Sequence, residues 1–380
     1  MTSTSSTPGL LTTSAAAPAG AQARARRRDR RVYLGSHPVL FGLLAAVRGR
    51  PVRRIGGTVL VHGAEAYRQA LTRLPLDRTA EGTTGGAARS ALAGEGDVLF
   101  DQEGSGHRSD RRDLAGQLSA AGVARLRAGW QPLLVRRLEP LSRGGAVDLV
   151  GLSRELAGSV VCALLGSDAD PRAVAAAAAE AAAASVRSHL PGPRRRHAEA
   201  AAVRSAARLR DLLAPAEGAL AAMVAVAAVN TTVAALPRAV AWCADAGLWD
   251  QAADEALRPV LAAELLRVTA ASPLLPRVAA ADGTVGGCPV RGGDRLLLVA
   301  RHAAGAHRLD PDARRPAGPG TARLVFGAGP HACPGARLAE ELLADVLAAL
   351  APARPVVTRA RVDRRAALPG WRTLLVEARA

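Results

Sequence analysis

The chain has 380 residues, 49% of them hydrophobic, with two Met and four Cys. That length and composition suit one large or two ordinary domains around a substantial core. The four cysteines, Cys162, Cys243, Cys288 and Cys333, lack paired zinc spacing, and nothing suggests a disulfide framework, which points to a reducing cytoplasm. No uninterrupted apolar run approaches the roughly 20 residues of a bilayer span, so neither a membrane span nor an anchor is expected. The formal net charge is +17, carried by arginine. A coding bias toward Ala, Gly and Arg gives this excess without function. A basic face that steers an acidic partner is the second reading. Nucleic-acid binding is the third, and the 2% aromatic content and absence of a helix-turn-helix or zinc signature speak against it.

From the N-terminus, residues 1–23 are rich in Ser, Thr, Ala, Pro and Gly, and a basic run, Arg24 to Arg31, follows. A signal peptide has the reverse order, so residues 1–31 read as a disordered basic tail before a single domain, 32–380. Val59 to Val61 reads as a short strand and Ala64 to Leu74 as a helix. Residues 77–96 read as a Gly-rich loop. Helical spacing then covers 108–119, 124–141, 149–165, 171–188, 198–213, a long apolar stretch at 217–246, and 251–269. The Ala-rich run 173–184 suits a tightly packed or a mobile helix. Short strands are expected at 277–279, 296–299, 356–358 and 373–377. The class is mainly α, with no internal repeat.

Between the strand at 296–299 and the C-terminal strands lies Phe326-Gly327-Ala328-Gly329-Pro330-His331-Ala332-Cys333-Pro334-Gly335, running into a helical stretch from Ala336 to Leu350. The glycines let a backbone turn lie close to a flat object. Cys333 precedes a helix start, where free N–H groups and the helix dipole favour a thiolate. This is the design of a thiolate ligand to haem iron. The alternative is a Gly-rich turn with an incidental Cys.

The segment resembles the cysteine loop of the cytochrome P-450 family, and the order of elements is similar from about Tyr33 to Ala380. The chain is somewhat short for the family, chiefly at 166–215 and after 300. The resemblance implies a helix-rich triangular prism with small β-sheets, haem b as cofactor and Cys333 as the iron ligand, with Phe326, Gly327 and Gly335 of the loop as further cofactor-binding residues.

Glu264-Leu265-Leu266-Arg267 places an acid and a base on one helix face. Alone such a pair is common and weak. The resemblance implies a structural ion network of Glu264, Arg267 and Arg315, with Arg314 as the alternative third member. His107 and Arg111 share a helix face four residues apart. They match the family's propionate-binding pair, with Arg277 and His331 as further donors; a solvated basic helix end is the bland alternative.

Ala227-Ala228-Val229-Asn230-Thr231-Thr232 matches the family's distal-helix pattern with two departures. Ala228 stands for a glycine. Asn230 stands for a carboxylate, and an amide has no acid–base capacity at neutral pH. Thr231 aligns with the threonine that handles dioxygen and relays protons; a Thr bonded back to its own helix is the plain alternative. Pro237 should kink this helix.

The resemblance thus implies a monooxygenase tailoring a small secondary metabolite, with electrons from a ferredoxin and its reductase. Asn230 keeps a second reading open: peroxide use, oxidative coupling, nitrene or nitric-oxide chemistry, or a rearrangement. A third reading is a non-catalytic haem-binding protein. Trp130, Trp242, Trp249 and Trp371 read as packing residues, and His189 as exposed, with the lining of an access channel as its alternative.

Overall fold

The computed structural model describes residues 19–77, 79–83, 104–188, 195–214 and 218–379. The first element departs from the sequence expectation. The residues 19–31 of the expected tail belong to a helix, α1 (Ala19–Ser36). The physical reason lies in the spacing: Ala25, Asp29, Val32 and Tyr33 recur on one helical face, and all four are buried. The arginines around them are tied down, Arg28 to Asp245 and Arg26 to Asp310. The α2 helix (Pro38–Val47) follows.

A five-stranded sheet has the order β1 (Val52–Ile55), β2 (Thr58–Val61), β8 (Arg295–Leu298), β5 (Leu275–Ala279), β3 (Leu76–Asp77). Only the β2–β8 pair is parallel. Helix α3 (Ala64–Thr72) covers this sheet, burying Ala66, Tyr67, Ala70 and Leu71. A second sheet joins β4 (Ala146–Asp148), β10 (Gly370–Glu377) and β9 (Val356–Asp363), and β6 (Gly283–Val285) pairs with β7 (Cys288–Val290).

The helical body starts with α4 (Gly104–Gln117) and α5 (Ala120–Ser142). Helix α6 (Leu149–Leu165) matches its expected bounds because both ends carry strong signals. The Asp148 carboxylate accepts from Val150 N at 3.1 Å, and Gly166 closes the helix at φ +63°. Helix α7 (Pro171–Ser188) packs on it, and α8 (Arg195–Leu213) packs on α7. Ala175, Ala177, Ala178, Ala181 and Ala184 are all buried, so the Ala-rich run is the tightly packed alternative. A Cβ on Gly158 would sit 1.9 Å from the Pro171 carbonyl, which shows how closely α6 meets the start of α7.

The α9 helix (Gly218–Ala246) crosses two apolar clusters. Its Leu220–Ala246 stretch is long and apolar enough to cross a membrane, which corrects the expectation that no such segment exists. Over half of its most apolar window is buried, so the helix serves here as core. It runs through Pro237 without a break in the assigned helix.

The helix expected over 251–269 is two: α10 (Trp249–Ala253) and α11 (Arg258–Thr269). The Asp254 carboxylate accepts from Ala256 N at 2.9 Å and Leu257 N at 3.1 Å, a local bonding pattern that competes with the helix. Short helices α12 (Ala300–Ala303) and α13 (Pro319–Ala322) precede two 3₁₀ turns, and α14 (Ala336–Leu350) follows them. The four tryptophans are buried, as expected of packing residues. Expected loop 77–96 and His189 fall wholly or mostly outside the described residues.

Candidate functional site

Cys333 lies between the 3₁₀ turn Gly329–His331 and α14. Its N–H donates to Phe326 O at 2.7 Å, closing the loop on itself. Gly327 bridges the two at φ +79°, ψ −165°, a conformation that a side chain would forbid. A Cβ on Gly329 would come within 3.1 Å of the Leu71 carbonyl, so this glycine lets α3 approach. Phe326 anchors the loop against the main apolar cluster.

The four cysteines are not equivalent. Cys162 and Cys243 are buried, Cys288 is half-buried, and Cys333 is exposed. Loop atoms nevertheless crowd the back of the Cys333 sulfur. That partial desolvation raises its thiol pKa, while the Gly335 N–H and the Arg111 charge pull it down. A bound cation on the open side would displace the proton. Burial also holds the Cys243 and Cys162 thiols protonated.

Arg111, on α4, reaches this loop and donates through Nη2 to the Ala332 carbonyl. The structure thus joins Arg111 to the residue before Cys333. His331 is half-buried in the same loop. Arg277 lies on β5, its Nη1 donating to Pro276 O at 2.8 Å, and its charge bears on the buried Tyr67. The side chain of His107 lies outside the described residues.

Behind the loop, Glu264 and Arg267 form a buried fork: Nε to Oε1 at 2.9 Å and Nη2 to Oε2 at 2.6 Å. Arg267 also donates to the carbonyls of Ala304 at 3.2 Å, Leu309 at 3.1 Å and Asp310 at 3.3 Å. The expected third member is absent from this network. The Arg315 side chain is 79% exposed and pairs with Asp312 at 3.3 Å. The Arg314 backbone N–H also turns to Asp312. Glu264 Oε1 takes its further hydrogen bond from Ala317 N at 3.2 Å, so a neutral amide fills the place given to a second guanidinium.

On α9, Thr231 Oγ1 donates back to Ala227 O at 2.8 Å, the geometry of the plain alternative. Its oxygen lone pairs stay available to accept. The Asn230 amide nitrogen donates to Val226 O at 2.8 Å and across to Ala178 O of α7 at 3.2 Å. Asn230 therefore ties α9 to α7. Ala228 packs against the apolar cluster between these helices.

Two features had no counterpart in the sequence reading. His62 and His302 are buried with their Nδ1 atoms 2.8 Å apart, and His307 packs on His302 with ring centroids 5.0 Å apart. Three histidines at positions 62, 302 and 307 give no spacing signal. The second is a cavity beside Asn230, built from four distant segments.

The donor set fits a haem: one open thiol on a glycine-shaped loop, with a guanidinium at the loop's own carbonyl. No family model and no curated protein sequence matches the chain. Solved structures match over most of its length. P450BioI, in complex with an acyl carrier protein ligated to hexadec-9Z-enoic acid, superposes with a TM-score of 0.71 at 16% identity, covering 92% of this chain and 100% of that one. The cytochrome P450 TxtC, of thaxtomin hydroxylation, gives 0.69 at 19%, covering 90% and 98%. The mycinamicin VIII C21 methyl hydroxylase MycCI from Micromonospora griseorubida gives 0.65 at 22%, covering 88% and 95%.

Proposed function

We propose that this chain, which has the cytochrome P450 fold, is a haem-thiolate oxidoreductase that oxygenates a small apolar molecule. The observation that carries the proposal is the exposed Cys333 on its glycine-shaped loop, with Arg111 bonded to Ala332 beside it. Haem b, when bound, supplies dioxygen activation for insertion of one oxygen atom into a C–H or C=C bond. Cys333 would hold the iron as thiolate, with the Gly335 N–H and Arg111 favouring its charge. Arg111, His107, Arg277 and His331 are the donors available to the carboxylates of the cofactor.

Thr231 would accept a proton-bearing hydrogen bond at Oγ1, since its own proton is engaged with Ala227. Asn230 holds position without moving protons, because its nitrogen is committed to Ala178 and Val226 and its side chain has no acid–base capacity. The same observation favours a second reading, in which the chemistry draws on peroxide, coupling, nitrene or nitric oxide, or rearrangement, and needs no protonated relay beside Thr231. Glu264 and Arg267 hold the loop and do no chemistry.

A ferredoxin with its reductase is the proposed electron source, and the cytoplasm the proposed location. Two similar structures are named for mycinamicin and thaxtomin hydroxylation, which supports tailoring of a secondary metabolite. The test uses haem-loaded protein with ferredoxin, reductase and NADPH against peroxide alone. Reductant-dependent oxygenation supports the monooxygenase, and peroxide-only or reductant-free turnover supports the second reading. A haem spectrum unmoved by every candidate substrate, with no turnover, would leave a haem-binding protein.

A further inference from the structure

A cavity of about 220 Å³ opens between α6, α7, α9 and the turn from β9 to β10. At about 30 Å³ per liquid water, it has room for about seven waters or one small organic molecule. Its floor is apolar: Val229, Val233 and Ala234 of α9, with Leu368 from the turn. Trp371 completes the wall. This residue is 2% exposed, and its indole N–H has no acceptor among the described residues. A buried donor left without a partner costs stability unless something supplies one.

The mouth is cationic. Arg154 comes from α6, Arg187 from α7 and Arg365 from the turn, and all three are exposed. None of them makes an ion pair among the described residues. The two acids at the rim are already engaged. Glu180 faces Arg208 at 3.6 Å. Asp363 Oδ1 accepts from Arg365 N at 2.8 Å and Ala366 N at 3.1 Å, which caps the turn. Three guanidiniums from three separate elements thus converge on one opening with their charge unanswered. Guanidinium forks match carboxylates in shape as well as charge.

We propose that this cavity binds a small organic anion, an aryl or alkyl carboxylate, with its apolar body on Val229, Val233 and Trp371 and its charge among Arg154, Arg187 and Arg365. Cys333 does not line it, and the proposal draws on no part of the cysteine loop. Its floor includes Asn230, whose amide bonds Ala178 of α7. A ligand there touches the link between α7 and α9, one residue from Thr231.

The test is calorimetric titration of the haem-loaded protein with 2-naphthoate, with neutral 2-naphthamide as control, while haem absorbance and haem content are followed. The expected result is saturable binding of one naphthoate, about tenfold or more tighter than the amide, from exchanging charged for neutral hydrogen bonds. The Arg187→Gln, Arg365→Gln double variant should lose at least about tenfold in affinity, since each 1.4 kcal/mol is tenfold. A Glu180→Gln variant should keep it. Both arginines are exposed and make no ion pair among the described residues, so the double variant should fold, and circular dichroism checks this. Equal affinity for acid and amide would overturn the proposal. So would naphthoate binding that survives the double substitution while shifting the haem band, or the absence of binding up to millimolar naphthoate.

Discussion

Asp29 of the N-terminal helix and Arg238 of the long core helix form a fully buried ion pair, Nε to Oδ1 at 2.8 Å. The same carboxylate receives Arg301 at 3.2 Å. Both guanidiniums lie over the Tyr33 ring, at 4.5 and 4.4 Å from its centroid. The Tyr33 hydroxyl continues to the Thr269 carbonyl at 2.7 Å. One carboxylate therefore holds α1, α9 and α12 together and answers two cations, the buried Arg238 and the partly buried Arg301.

Asp29→Ala should cost about 3–5 kcal/mol, because it leaves Arg238 and Arg301 without a counter-charge in the interior. Urea unfolding measures it as a lower midpoint at unchanged slope. A midpoint equal to wild type would mean that α1 is dispensable to the body of the protein.

The network behind the cysteine loop separates two arginines that look alike in sequence. Glu264→Ala should cost about 3–5 kcal/mol by stranding the buried Arg267, and should reduce the yield of folded, haem-loaded protein. Arg315→Ala should stay within about 0.5 kcal/mol of wild type, since Arg315 is a surface residue paired only with Asp312. Normal haem content in Glu264→Ala, or loss of it in Arg315→Ala, would reverse this assignment.

These residues also mark how far the sequence could be read. The Glu264–Arg267 fork was legible because i,i+3 spacing on a helix puts both groups on one face. The bounds of α6 and α7 were legible because Asp148, Gly166 and Pro171 punctuate them. The outward turn of Arg314 and Arg315 was not, because a run of Pro, Asp and Arg does not say whether either arginine turns inward, and the Ala317 amide that meets Glu264 carries no sequence signature. The α1 helix was hidden by its arginine content, although Ala25, Asp29 and Val32 fall at helical spacing. The histidine cluster and the arginine-rimmed cavity depend on long-range packing, which no local pattern encodes.

The histidine cluster makes stability depend on pH. Burial, then the His62, His307, Arg301 and Arg48 charges, lowers the His302 pKa to about 3. Burial, then Arg48, Arg308, Arg301 and His62, lowers that of His307 to about 4. Both lie below the unfolded value near 6.5, so below pH 6.5 the unfolded chain binds protons that the folded one refuses. Stability is full above pH 6.5 and falls as pH drops toward 4. The buried His302 should remove about 2 kcal/mol between pH 7 and pH 5, and the less enclosed His307 less. Urea midpoints across this range should slope downward toward acid, and His302→Gln should flatten the slope. An unchanged slope in that variant would exclude the cluster as its source.

Asn230→Asp replaces a donor by a carboxylate facing the Val226 and Ala178 carbonyls. Two lost hydrogen bonds and the new repulsion should cost about 1–3 kcal/mol. The haem spectrum should survive while product formation falls. If product formation instead holds or rises and peroxide release drops, position 230 belongs to a conventional proton relay that a carboxylate restores, and the second functional reading is excluded.

The central claim is that Cys333 is the iron ligand, and the carbon-monoxide spectrum of the reduced, haem-loaded protein tests it most directly. Wild type and the Cys162→Ser, Cys243→Ser and Cys288→Ser variants should each give the red-shifted Soret band of a thiolate-ligated haem, and Cys333→Ala should give none. A thiolate band retained in Cys333→Ala, or absent from the wild type, would contradict the account.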